Sequence, residues 1–422
     1  MVFLARANAN PDPDIAGSPD LIQAPPPRIL YAAGPGDVVG QYRDLLQGKQ
    51  PPFQIAMSFS HQFLDACDAS GAVVHLISWH TRRDALPLGR HRVENRPKSA
   101  LYFAGGLRHH LGVLSYGLTM VAQAVRNRAT VVIADSGTTH WIVLSILSLF
   151  RIPVIAVLHN ALWPAGLPSM RRSDQFIFAL DGWFFRHVAA ATVCVSPECE
   201  RQVRALAGTP KGPVYQCRAQ YREEFLSRVP PVSDHSARPF RVLFMGRIEE
   251  FKGVFLILSA AERLQKELPG QFIWKIVGSG TASEAVASQI RTRNLGGIVE
   301  LPGSLLTEEK ALETLGWAHV MVVPTTSRFV EGLAMTAAES VLAGRPVVVS
   351  SVVPAWEVLG RAAIKIEADS ADSLADAIRR LALDAGVYNE CQRATAASQF
   401  QFYDRSQGLG VVLQRAIAAL RY

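Results

Sequence analysis

The chain has 422 residues, 49% of them apolar and 19% charged, with 43 basic side chains against 36 acidic ones. This composition excludes a fibrous or wholly disordered protein, and the length allows two or three domains with large buried cores. A net charge of +7 suits a partner with some negative charge but falls short of a polybasic nucleic-acid binder.

Residues 1–27 read as a disordered tail. Apolar Met1–Leu4 runs into Asn10-Pro11-Asp12-Pro13-Asp14 without the apolar core of a signal peptide. From Arg28 onward, short β-branched runs alternate with helix-length segments. Strands are predicted first at Arg28–Ala32, Gln54–Phe59, Val73–Ser78, Thr130–Asp135, Pro153–His159 and Thr192–Ser196. A second series follows at Arg241–Gly246, Phe272–Gly278, Ile298–Pro302, Val320–Pro324, Pro346–Ser350 and Ala363–Glu367. Most are continuous apolar runs, the mark of parallel strands covered on both faces. The longest apolar stretch, Trp141–Leu158, is broken by Arg151 and Pro153, whereas a spanning helix needs about 20 apolar residues. It reads as a buried helix over Trp141–Phe150 followed by a buried strand, so no integral membrane segment is expected.

Arg228–Pro239 carries three prolines and no apolar periodicity, and reads as an interdomain linker over 228–239. The fold class is therefore α/β, with two doubly wound, Rossmann-like domains, 28–227 and 240–400, facing a cleft at the carboxyl ends of their strands. A last helix within 401–422, patterned by Leu409, Val412, Leu413, Ala416, Ile417 and Leu420, is expected to pack back on the N-terminal domain. The five cysteines are scattered and odd in number, which fits free thiols in a reducing cytoplasm, and no metal-ligand spacing appears. Residues 82–128 hold nine Arg or Lys side chains against two acidic ones. That segment suits anionic lipid headgroups or a phosphate-bearing acceptor, and reads equally as a solvated surface. Aromatic residues are too sparse there for a nucleic-acid platform.

Three motifs carry chemistry. After the strand ending at Met245 comes Gly246-Arg247-Ile248-Glu249-Glu250-Phe251-Lys252-Gly253, a strand-to-helix turn. Arg247 offers a planar fork and Lys252 a point charge, a pair suited to a diphosphate. The second motif, Ile276-Val277-Gly278-Ser279-Gly280, begins like a dinucleotide fingerprint. Thr281, Ala282 and Ser283 follow instead of a third glycine, which argues against an NAD-dependent oxidoreductase. The third is Glu331-Gly332-Leu333-Ala334-Met335-Thr336-Ala337-Ala338-Glu339, a loop running into a helix over Met335–Ala343. Its N-terminal amides can meet phosphate. Glu331 and Glu339 stand about 10–11 Å apart along that axis, a separation that lets each accept hydrogen bonds from a different sugar of one ligand.

Joined with Pro302-Gly303 and Ala343-Gly344-Arg345-Pro346-Val347-Val348, these motifs resemble, in order and spacing, the GT-B retaining glycosyltransferases of family 4 over about residues 240–350. The resemblance implies transfer of a sugar from a nucleotide-sugar donor, with retention, same-face attack and no catalytic metal or cofactor. Arg247 and Lys252 match the pair gripping the donor diphosphate. Glu331 matches the glutamate at the transferred sugar, and Glu339 the one taking the ribose hydroxyls. The amides of Ala334, Met335 and Thr336 match groups meeting sugar and phosphate, Gly303–Leu305 falls where the base is held, and Gly278 is a further expected donor-binding residue. In the N-terminal half, Gly34 and Gly36 match a glycine-rich loop beneath the phosphates, and His159 a histidine near the reaction centre. Leu333 and Ala334 stand where the family has an aromatic residue and glycine, and Asn160 where it often has aspartate. The implied partners are a nucleotide-sugar donor and a saccharide or lipid-linked acceptor, with a role in bacterial exopolysaccharide or cell-envelope polysaccharide synthesis at the inner membrane face. A silent GT-B scaffold and a nucleotide-sugar epimerase of the same architecture are the alternatives.

Overall fold

The computed structural model describes residues 26–49, 55–168, 171–232, 234–305 and 307–421. The N-terminal half is built on strands β1 (Arg28–Pro35), β2 (Val73–Trp79), β3 (Asp84–Leu88), β4 (His91–Arg96), β5 (Val131–Asp135), β6 (Val154–Leu158), β7 (Ala191–Cys194) and β8 (Val214–Gln216). They form one sheet in the order β3-β4-β2-β1-β5-β6-β7-β8. Every pairing is parallel except β3 with β4. The second half carries β9 (Phe240–Met245), β10 (Phe272–Val277), β11 (Val299–Gly303), β12 (Val320–Val323), β13 (Val347–Ser350) and β14 (Ala363–Ile366). These form a wholly parallel sheet in the order β11-β10-β9-β12-β13-β14.

Apolar burial on both faces explains the continuous runs. Along β9, Phe240, Val242 and Phe244 enter one core while Leu243 and Met245 enter the core on the opposite face. Each fully buried side chain of this size contributes about 1.5–3 kcal/mol. The N-terminal core takes in Leu409, Val412, Leu413 and Ala416 of the helix Leu409–Ala418, so the end of the chain crosses back to the first sheet. The segment Arg228–Pro239 is held by the second domain. Arg345, 1% exposed, donates to Pro230 O at 2.7 Å and Gly316 O at 3.0 Å, and the His235 ring packs at a tilt against Tyr388. No helix among the described residues is long and apolar enough to cross a membrane.

Two local expectations are corrected. Gln54 lies outside the described residues, and the rest of Gln54–Phe59 is not a strand, since a helix begins at Phe59 and runs to Ala69. Trp141–Phe150 is a run of 3-10 turns that buries Trp141, Val143, Leu144 and Leu147 but leaves Leu149 81% exposed. The hairpin β3–β4 and the short β8 were not anticipated. Arg83, Arg92 and Arg96 share the single carboxylate of Glu94 and Arg90 approaches Asp68, so most of the basic charge in 82–128 has no acidic partner among these contacts.

Candidate active site in the interdomain cleft

Both sheets reverse their strand order at one point, β1/β5 in the first and β9/β12 in the second. Ligands of open α/β sheets bind beyond the carboxyl ends at such points. A cavity of about 370 Å³ lies there, lined by residues of both domains including Phe59, His159, Asn160, Gly246, Arg247, Lys252, Thr325 and Glu331–Thr336.

Lys252 ends the short turn Glu250–Lys252 after β9, and its ammonium pairs with Glu331 Oε1. Thr325 Oγ1 donates to the same oxygen at 3.2 Å. Glu331 is only 7% exposed, so these two donors keep a buried carboxylate satisfied. Two aromatic rings support the cations. Phe251 and Phe329 stack with centroids 4.4 Å apart. The Arg247 guanidinium lies 5.6 Å from one ring and 5.8 Å from the other, and Lys252 Nζ lies 4.5 Å from Phe329. The ring faces and Glu331 together offset the repulsion between two like charges held side by side.

The helix Met335–Leu342 opens directly onto the cavity. Ala334 precedes it at φ 66°, ψ 95°, a left-handed conformation that costs a non-glycine residue about 1 kcal/mol. The first-turn amides lack intrahelical acceptors, and together with the helix dipole they favour an anion. Tyr221 Oη anchors this turn by donating to Met335 O at 3.2 Å. Glu339 follows on the same helix, away from the cavity lining and with solvent contact on one side. Burial raises its carboxyl from 4.5 to about 7.

On the facing domain, His159 follows β6 and its ring packs on Phe59 at a tilt of 37°, with centroids 4.7 Å apart. Its Nε2 lies 3.1 Å from Asp135 Oδ1, off the hydrogen-bonding direction, and its Nδ1 is buried without a partner. Asp135 Oδ2 accepts from the Gly34 amide at 3.0 Å and from Tyr31 Oη at 3.2 Å. The carboxyl ends of β1, β5 and β6 thus meet at one carboxylate. The domains touch here, for Ala161 N donates to Glu331 O at 3.4 Å.

The structure brings Arg247, Lys252, Glu331, Ala334, Met335, Thr336 and His159 together around the cavity. It does not bring Gly34, Gly36, Gly278 or Leu305 to the lining. Gly34 and Gly36 are engaged through their carbonyls by Ser78 Oγ at 2.8 and 2.7 Å. Gly278 is required by packing, because a Cβ there would lie 1.8 Å from Gly246 O. Leu305 packs on the second domain's core. Asp135, Thr325, Phe251 and Phe329 were not singled out from the sequence. An acidic residue closing an apolar parallel strand was the available signal for Asp135. Among the described residues, no group of three or more His, Cys, Asp or Glu side chains is arranged to hold a metal ion.

Two facing Rossmann-like sheets, with a cationic, glutamate-bearing cavity at both switch points, define a GT-B-type architecture. Comparison with known proteins agrees. The family described as Glycosyltransferase Family 4 matches residues 58–216, and Glycosyl transferases group 1 matches residues 239–384. The chain belongs to the GT-B glycosyltransferases of the family 4 type. It is 24% identical over 261 residues to a glycogen synthase of Mycobacterium tuberculosis, a match covering 59% of each protein, so it spans about three-fifths of that relative's length. Among solved structures it resembles sucrose-phosphate synthase from Thermosynechococcus elongatus, at 17% identity and a TM-score of 0.69, covering 93% of this chain and 99% of that one. It also resembles Anabaena HepE in complex with UDP, at 15% identity and a TM-score of 0.63, covering 93% and 100%. At these identities the likeness is one of fold.

Proposed function

We propose that the protein transfers a sugar from a nucleoside-diphosphate sugar to a saccharide or lipid-linked acceptor, with retention of anomeric configuration. The observation that carries this reading is the placement of Arg247, Lys252 and the first turn of the helix Met335–Leu342 around one interdomain cavity. The C-terminal domain holds the donor. Arg247, Lys252 and the amides of Ala334–Thr336 take the diphosphate, as expected of charge-assisted bonds to phosphate. Glu331 receives Lys252 and Thr325 on Oε1. This leaves Oε2 to accept from hydroxyls of the transferred sugar. Glu339 takes the ribose hydroxyls after a small rearrangement, since it stands one turn behind the lining.

In the reaction, the bond from the anomeric carbon to the diphosphate oxygen breaks and a bond to the acceptor oxygen forms on the same face. The acceptor's proton passes to the departing diphosphate. Negative charge grows on that diphosphate, where the two cations and the helix amides are already in place, and closure of the cleft over the donor removes water from them. His159 borders the sugar from the N-terminal domain. No metal or cofactor is called for, because the cations supply the charge.

Exposed Leu101, Phe103, Leu107 and Leu111 flank exposed Arg108 in sequence, in the segment that follows the carboxyl end of β4. This favours an acceptor presented at an anionic membrane surface, as in envelope or exopolysaccharide assembly on the cytoplasmic side. Pelleting with anionic liposomes at low salt tests that part, and failure to pellet refutes it. A time course with labelled UDP-, GDP- and ADP-hexoses, with and without a crude lipid-linked acceptor fraction, tests the reaction. Acceptor-dependent nucleotide release with label in the product supports transfer. An epimerase converts the sugar without an acceptor, and a scaffold turns nothing over.

A further inference from the structure

The helix Pro197–Ala207 starts at the cavity wall. Val195 lines the cavity, and the next residue, Ser196, caps the helix by accepting from Cys199 N. Two consecutive side chains on this helix reach in different directions. Gln202, 2% exposed, clasps the loop that follows His159. Its Oε1 accepts the amides of Leu162 at 2.6 Å and Trp163 at 3.2 Å. Its Nε2 donates to Trp163 O at 3.0 Å and Glu198 Oε1 at 2.7 Å. Arg201 reaches across the domain seam, donating to the two carboxylate oxygens of Glu357 at 2.7 and 2.6 Å. Its Nε and second terminal nitrogen also hold Glu198 Oε2 at 3.0 and 2.8 Å.

Glu198 therefore joins the two, one oxygen on the loop clasp and the other on the interdomain clamp. On its far side the same loop meets the second domain, through Ala161 N to Glu331 O and through His159 O against Gly332. We propose that the helix Pro197–Ala207 couples domain closure to the seating of the His159–Trp163 loop, with Gln202 and Arg201 as positioning residues. Its consequence for turnover rests on the transferase reading above, but the coupling itself does not. When the seam is closed, Glu357 neutralises Arg201 from the other domain and leaves Glu198 directed at Gln202. When the seam opens, Arg201 keeps only Glu198 as a counter-ion and draws it from Gln202; the Gln202 amide, no longer held in orientation by Glu198 Oε1, loosens its three bonds to the loop. Bidentate Arg–carboxylate geometry gives such a clamp its directionality. The clamp borders a second interdomain cavity of about 540 Å³, and the Arg201 side chain is 52% exposed, so added salt weakens it.

The test is hydrogen exchange on the full chain without ligand, comparing wild type with Glu357→Gln. That substitution lies in the other domain at a partly exposed site and keeps the side chain's shape. The proposal expects at least tenfold faster exchange at the Leu162 and Trp163 amides, with the amides of β6 unchanged. Unchanged exchange at Leu162 and Trp163 overturns it. In turnover with a labelled donor, Glu357→Gln and Gln202→Met each lower kcat at least tenfold while the donor KM stays within threefold. The double variant is no worse than the worse single one. Additive losses mean two independent contacts and overturn the coupling. If wild type turns over no donor, the transferase reading fails, and the exchange measurement still decides the proposal.

Discussion

Replacing Gly332 by alanine probes how closely the two domains must meet. A Cβ at this position would lie 1.8 Å from His159 O, 2.7 Å from His159 C and 2.8 Å from Val195 Cγ2. Two of these atoms are backbone, so a rotamer change cannot relieve the overlap. Ordinary contact begins at 3.4 Å, and the seam has to open by about 1.5 Å. A misplacement of about 1 Å between reacting groups costs about a hundredfold in rate. Gly332→Ala is therefore expected to lower kcat about a hundredfold, equivalent to about 2.7 kcal/mol of transition-state stabilisation. Nucleotide affinity should stay within threefold, because Arg247, Lys252 and the helix Met335–Leu342 all belong to the second domain. Steady-state kinetics with a labelled donor, alongside nucleotide titrations, measures both. A kcat within threefold of wild type refutes the reasoning, as does a loss of nucleotide affinity as large as the loss in kcat.

Lys252→Ala removes a charge whose contact strengthens as the diphosphate departs, so kcat should fall more than KM rises, and an unchanged kcat excludes that role. Glu339→Gln should alter the pH dependence of stability. The folded carboxyl titrates near 7 against an ordinary 4.5, so the folded state binds the extra proton. Its stabilising contribution is complete below pH 4.5 and lost as pH rises through 7. By linkage, the glutamine variant gains up to about 3 kcal/mol over wild type between pH 5 and 8. Parallel denaturation profiles across that range contradict this. Arg345→Met deletes four bonds from a buried guanidinium to the carbonyls of Ala318, Ala343, Pro230 and Gly316. Hydrogen bonds to charged groups contribute about 1.5–3 kcal/mol each, and the variant should lose at least about 2 kcal/mol in urea unfolding, whereas a loss below 0.5 kcal/mol, about the scatter of a surface substitution, places the residue outside the fold's supports.

How much was legible in the sequence follows from what each element answers to. Strands buried on both faces declare themselves as apolar runs, so β1, β5, β6, β9, β10, β12 and β13 lie where the pattern put them. The antiparallel β3 alternates between half-buried and exposed positions and carries Pro87, and without a continuous run it was lost among basic residues. Gln54–Phe59 has strand-like residues, but Phe59 opens a helix whose partner is the distant helix Leu409–Ala418. In the cavity, Arg247, Lys252 and Glu331 were readable because one short motif carries each. The Lys252–Glu331 pair, with residues 79 positions apart, was not foreseen as a pair. The aromatic platform depends on Phe251 and Phe329 meeting across a fold. Gly278 does not reach the cavity lining and packs against Gly246, and a glycine that spares a neighbouring backbone looks the same in sequence as one that admits a ligand.

Calorimetric titration of UDP, GDP, ADP and their hexose conjugates, without added metal, into wild type and Lys252→Ala tests the donor site most directly. The account predicts that one nucleotide binds wild type at micromolar strength. It also predicts that Lys252→Ala weakens that binding at least tenfold, a loss of about 1.4 kcal/mol. Equal affinity in both proteins, or no binding of any nucleotide to wild type, would contradict it.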